Sequence, residues 1–186
     1  MKPLFTVHAG EFLAGEYIER KLRLNVWVPA KDTGVDLLIS DAKNKKVVSL
    51  QVKSSRDYFT RRDDKEWDKS LRAFGWWSLN RQKIKRSSAD YWVFVLIGFE
   101  RRSTDFLIIK PGELLERLKA IHDKPDSPHG CPNTIHSYLT VMKNERCWEV
   151  RGLKPSDREL IPKERDFTQY LNKWDPIKAL LGERPL

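Results

Sequence analysis

Gly34-Val35-Asp36-Leu37-Leu38-Ile39-Ser40 and Val47-Val48-Ser49-Leu50-Gln51-Val52-Lys53 decide how this chain folds. Both segments are short and rich in branched apolar residues. Between them, Asp41-Ala42-Lys43-Asn44-Lys45-Lys46 has the Asn and Lys content of a hairpin turn. The two therefore read as neighbouring antiparallel strands. Each carries an anomaly. Asp36 sits among apolar neighbours, where an ionised carboxylate is costly unless it is paired or binds a cation. In the second strand the side chains alternate, so Gln51 and Lys53 share one face while Leu50 and Val52 point to the other.

A hairpin of this kind lets Asp36 meet Gln51 and Lys53. One carboxylate, one amide oxygen and one ammonium would then converge at a strand end. Carboxylate and carbonyl oxygens are the donors Mg²⁺ prefers. A bound Mg²⁺ polarises a phosphodiester and generates a hydroxide nucleophile, and a lysine beside it can orient that water or stabilise charge in the transition state. The same residues admit a plainer reading. Asp36 would cap a bulge or pair with a core arginine, and Gln51 and Lys53 would lie on a solvated strand face.

Outward from the hairpin, residues 10–24 read as a helix with Leu13, Ala14, Tyr17, Ile18, Leu22 and Leu24 on its apolar side, stopped in a left-handed turn at Asn25. Residues 26–28 form a short strand before Pro29. Residues 54–88 are crowded with Arg, Lys and Asp. They read as a loop followed by a helix over 76–85, with Trp76 and Trp77 in the core. Residues 90–98 form a strongly apolar central strand and 105–110 another. Pro111 opens a helix through about Ile121. Residues 123–132 are a loop, 137–143 and 146–151 a hairpin, and 176–181 a short helix in a polar tail. The expected fold class is mixed α/β, a central mixed sheet flanked by helices. A core over 1–122 would carry the insert 54–88, and a C-terminal extension over 123–186 would pack on it.

The chain has 186 residues, seven of them Trp, and about two fifths of it is apolar, which suits a folded globule. Its 35 Lys and Arg against 26 Asp and Glu leave a formal charge of +9, which favours a polyanionic partner. Cys131 and Cys147 fit neither a zinc ribbon nor a redox pair, and the spacings of Cys131 with His122, His129 and His136 match no metal pattern. Residues 1–10 lack a basic region followed by a long apolar run, so no signal peptide is expected. The longest apolar run, residues 91–98, is too short to span a membrane. The expected location is the cytoplasm.

At Gly34-Val35-Asp36-Leu37-Leu38-Ile39 and Val48-Ser49-Leu50-Gln51-Val52-Lys53-Ser54-Ser55 the chain resembles the PD-(D/E)XK nuclease superfamily, in particular its restriction-endonuclease-like and Holliday-junction-resolvase-like members. In that superfamily an Asp is followed, on the next strand, by an acidic residue or Gln, any residue, then Lys. Gln51 is the departure from the usual acidic residue, and it offers a metal a neutral, weaker oxygen. Ala89-Asp90-Tyr91-Trp92-Val93-Phe94-Val95-Leu96 and Phe106-Leu107-Ile108-Ile109-Lys110-Pro111 resemble the later strands of such proteins. The similarity covers roughly residues 10–121.

The resemblance implies an αβββαβ core and a Mg²⁺- or Mn²⁺-dependent endodeoxyribonuclease. Its catalytic residues would be Glu11, Asp36, Gln51 and Lys53, with Asp36, Gln51 and Glu11 as metal ligands. These families place a Glu in the first helix. Glu11 falls at the edge of the apolar face and Glu16 on the polar side, and Gly10-Glu11 has the family's spacing. Nucleic acid is expected along Ser54, Ser55, Arg56, Arg61, Arg62, Arg81, Lys83 and Lys85, with Lys65, Lys69, Arg72 and Arg86 in the same stretch. A homodimer is the expected route to a double-strand cut, with the hairpin bearing Trp148 as a candidate interface. A binding subunit that has lost cleavage, and an RNA-acting nuclease, are the alternatives.

Overall fold

A computed structural model describes residues 4–31, 33–55, 69–98, 102–123, 132–153 and 160–183. Helix α1 (Leu4–Tyr17) runs into a wider π turn (Ile18–Leu22). Strands β1 (Asn25–Trp27), β2 (Leu37–Ser40) and β3 (Val47–Ser54) follow. Next come β4 (Leu71–Asn80), the short helix α2 (Arg81–Lys85), β5 (Tyr91–Gly98), β6 (Ser103–Ile109) and helix α3 (Pro111–His122). Strands β7 (Thr134–Met142) and β8 (Cys147–Glu149) precede the last helix, α4 (Asp175–Leu181).

The strands make two sheets. The first has the order β1-β2-β3-β5-β6 and the second β4-β7-β8. In the first, β1, β2 and β3 are antiparallel neighbours, β5 runs parallel to β3, and β6 returns antiparallel to β5. The architecture is thus mixed α/β, with helices flanking a mixed five-stranded sheet. Strand β5 is buried from Tyr91 to Leu96, as a central strand covered on both faces must be.

Two apolar clusters explain that cover. On one face Leu50, Val52, Val93 and Val95 pack with Ala14 of α1, with Ile18 of the π turn and with Trp174 and Ile177 at α4. On the other, Trp92, Phe94, Leu107 and Ile109 pack with Leu114 and Leu118 of α3. Trp77, Leu79, Ile135 and Leu139 join them from the inner face of the second sheet. Full burial of a side chain such as Phe94 contributes about 1.5–3 kcal/mol.

Three expectations are corrected. First, residues 71–80 are strand, not loop and helix. Leu71, Ala73, Gly75, Trp77 and Leu79 alternate inward, and β4 pairs with β7 from Asn80–Thr134 to Leu71–Met142. Only 81–85 of the expected helix is helical. Second, that alternation separates the two tryptophans: Trp77 is core, whereas Trp76 faces outward and is 37% exposed. Third, the left-handed stop of the first helix is Arg23 (φ 57°), not Asn25. Asn25 belongs to β1, and its amide donates to the Asp41 carbonyl and to Asn44 Oδ1, pinning the β2–β3 turn. Because β4 pairs with β7, the insert and the C-terminal extension share one sheet and one apolar cluster.

Among the described residues, no helix is long and apolar enough to cross a membrane.

Candidate active site

The approach to β2 turns at Gly34, whose φ of +85° is a conformation that L side chains rarely adopt. Two residues on, the Asp36 N–H donates to the Leu50 carbonyl (2.8 Å), and Asp36 Oδ2 accepts the Val52 N–H at 2.6 Å. The register pairs Leu37 with Leu50, which places Asp36 beside Gln51. A Cβ on Gly34 would stand 4.0 Å from Gln51 Nε2. Asp36, Gln51 and Lys53 are all half-buried, whereas Leu50 and Val52 are buried on the α1 side.

Across the parallel pairing, Gln51 lies next to Trp92 and Lys53 next to Phe94. The Lys53 ammonium sits 5.4 Å from the centroid of the Trp92 ring, a cation–π contact. The Trp92 indole N–H donates to Ser87 Oγ (2.8 Å), which fixes the ring. The Ser88 hydroxyl donates to the Thr33 carbonyl (3.4 Å), tying the entry to β5 to the turn before Asp36. The structure therefore gathers Gly34, Asp36, Gln51, Lys53 and Trp92 on one face of the sheet, beside the start of β2. Trp92 and Ser87 escaped the sequence reading because the β3–β5 register is set by a long crossover.

Glu11 arrives differently. Helix α1 packs on the Leu50–Val52 face, opposite to Gln51 and Lys53, and meets β3 where Gly10 lies against Ser54. The Glu11 side chain is 21% exposed and contacts His8 Nδ1 at 3.2 Å. Glu16 is 44% exposed and lies 3.5 Å from Arg20. Of the two, Glu11 is the more enclosed and stands beside the residue that touches β3.

Asp36 and Gln51 supply oxygen donors of the kind that suit Mg²⁺, whereas Glu11 lies on α1, which packs on the opposite face of the sheet. No cluster of three or more His, Cys, Asp or Glu that could hold a metal occurs among the described residues.

The basic stretch divides into groups with different tasks. Arg56, Arg61, Arg62 and Lys65 lie outside the described residues. Arg72 makes a bidentate pair with buried Asp105 (2.5 and 2.9 Å), joining the two sheets. Arg81 pairs with Asp123 through both terminal nitrogens and donates from Nε to the Pro132 carbonyl (2.8 Å). Ser55 is buried, and its Oγ accepts the Trp76 N–H at 2.9 Å. Lys69, Lys83, Lys85 and Arg86 are exposed. Arg72 and Arg81 thus have structural work, and the exposed lysines carry the surface charge. Compared with protein-family models, curated proteins and solved structures, the chain matches none.

Proposed function

We propose that this protein is a Mg²⁺- or Mn²⁺-dependent endodeoxyribonuclease with a restriction-endonuclease-like core. The observation that carries the reading is the meeting of Asp36, Gln51 and Lys53 on two adjacent strands, with Asp36 held to the Val52 N–H and Lys53 over Trp92. The order of helix, three antiparallel strands, crossover and a strand parallel to the third is consistent with an αβββαβ core.

In this reading Asp36 and Gln51 would hold the ion, and Glu11 would join them by reaching round the end of β3 from the opposite face of the sheet. When bound, Mg²⁺ supplies Lewis acidity and lowers the pKa of a coordinated water. Lys53 donates to a phosphate oxygen or to the attacking water and offsets charge that develops on phosphorus. Trp92 restrains the ammonium and so lowers the entropic cost of that task. Exposed Lys83 and Lys85 add phosphate contacts, as would Arg56, Arg61 and Arg62. A homodimer acting in the cytoplasm completes the proposal.

A specific observation favours a second reading, a subunit of the same fold that binds without cutting. Gln51 is neutral, and Asp36 Oδ2 already serves a backbone N–H, as a purely structural carboxylate would.

The deciding experiment incubates the protein with linear, nicked, branched and single-stranded DNA, and with matched RNA, under Mg²⁺ and Mn²⁺. Cleavage that disappears in Lys53→Ala while binding persists supports the nuclease. Binding without cleavage under both ions supports the second reading. Cleavage of RNA alone would change the substrate, and equal activity of Lys53→Ala would move the site elsewhere.

A further inference from the structure

The outer face of the second sheet is unlike either core. Phe74 and Trp76 of β4 point outward, as do His136 and Tyr138 of β7 and Trp148 of β8, and none of these belongs to an apolar cluster. Trp76 stacks on His136 (centroids 5.7 Å, planes 12° apart), and Phe74 tilts against Tyr138 at 6.0 Å. A three-stranded antiparallel surface therefore carries a row of rings, of which Trp76 is exposed at 37% and Phe74, His136, Tyr138 and Trp148 are half-buried.

The β4 edge of this face meets the segment that leaves β3. Trp76 N–H donates to Ser55 Oγ, and Ser55 lies two residues beyond Lys53. Cations stand at its two ends. Lys69, Lys143 and Arg146 are exposed where β4 starts and β7 finishes, with the Lys143 N–H bonded to the Ser70 carbonyl. Lys83 and Lys85 are exposed on α2, directly after the other end of β4. Among the described residues, Glu145 is an acidic group at the first end, 80% exposed and 3.9 Å from Arg72.

We infer that this face is a stacking platform for unpaired bases of a single-stranded nucleic acid, with Trp76 as its anchor. Every base has a π face, so aromatic stacking binds single strands with little regard to sequence, while lysines and arginines at the edges meet the phosphates. A duplex keeps its bases stacked on one another and cannot offer them to Trp76. The partner's identity rests on the nuclease reading. It narrows the substrate to one with a single-stranded segment entering past Ser55.

The test measures binding of the intact chain to labelled single-stranded DNA, single-stranded RNA and blunt duplex of one sequence. Fluorescence anisotropy in EDTA serves, so that cleavage plays no part. Both single strands should bind more tightly than the duplex. Trp76→Ala should weaken single-strand binding about tenfold, and Trp76→Phe should retain most of it. Trp76→Leu keeps apolar bulk without a π face and should fall with Trp76→Ala. Circular dichroism confirms the fold of each variant. Duplex bound as tightly as single strands, or Trp76→Leu and Trp76→Ala both binding like wild type, would overturn the platform. Metal-dependent cleavage is scored separately, so either idea can fail while the other stands.

Discussion

Gly10 lies so close to Ser54 that a Cβ at residue 10 would meet the Ser54 hydroxyl at 2.9 Å and overlap its Cβ. The approach of α1 to the end of β3 therefore requires a residue without a side chain. That same approach sets Glu11 one residue from the α1–β3 contact. Ala in place of Gly normally favours a helix by about 1 kcal/mol. Here the obstacle is the stem of a strand residue, which cannot swing away. Gly10→Ala should be net destabilising, by about 1–3 kcal/mol as in other overpacked sites. Urea unfolding beside wild type checks this, and a more stable variant would show that the helix shifts freely.

Gln51 is the point at which the site departs from a two-carboxylate strand pair. Gln51→Glu adds a charge beside Asp36. Without metal the like charges repel, and a cost of about 1 kcal/mol would lower the melting temperature by roughly 3 °C. On the proposed reading the added carboxylate would be a ligand for Mg²⁺, so the ion should reverse the loss. The concentration of Mg²⁺ that half-saturates the protein should also fall severalfold. Thermal melting and calorimetric titration with and without Mg²⁺ read both effects. A variant whose melting temperature ignores Mg²⁺ would count against a metal at residues 36 and 51.

Much of the first sheet was legible because its signals are local. Strand β3 alternates cleanly, β5 is one apolar run, and Pro111 marks the start of α3. Strand β4 was not. Ala73 and Gly75 stand at two of its five inward positions, so the alternation is weak, and pairing with β7 far along the chain decides the conformation. The candidate site follows the same division. Asp36, Gln51 and Lys53 stand out by polarity within apolar strands. Trp92, which holds the Lys53 ammonium, looks like any core residue until the parallel register is known.

Glu149 shows what lay beyond reach altogether. Its side chain is fully buried, yet nothing around residue 149 in the sequence marks it as paired. Arg165 Nη1 lies 2.6 Å from its Oε2 and donates as well to the Arg151 carbonyl. The N–H groups of Tyr138 and Arg151 approach Oε1 at 3.3 and 3.4 Å, and His122 Nε2 lies 3.6 Å away. Arg165→Met would strand that carboxylate in a dry interior, at a cost of about 3–5 kcal/mol. Adding Glu149→Gln should recover part of the loss, because the amide needs no countercharge. Urea midpoints for the two single variants and the double variant measure the coupling. Additive effects would mean the pair is not an energetic unit.

Burial pushes the Cys147 thiol far above its ordinary value, with Asp105 and Asp166 adding to the effect and Arg72 opposing it. Burial also raises Tyr91, helped by Asp90 and Glu113. It raises Tyr170 too, whose hydroxyl donates to Glu113 at 2.6 Å, while Arg117 pulls the other way. In each case the folded protein holds its proton to higher pH than the unfolded chain does. The stabilisation is thus fully present below the unfolded values, about 8.5 for Cys and about 10 for Tyr, and is lost as pH rises past them. Stability should be flat from these groups near neutrality and decline progressively from about pH 8.5 upward. Cys147→Ala should remove the first part of that decline, whatever it does to stability at neutral pH. Urea unfolding across the alkaline range gives the slope. A Cys147→Ala variant whose slope matches wild type, or stability that rises with pH there, would show that these buried groups do not govern it.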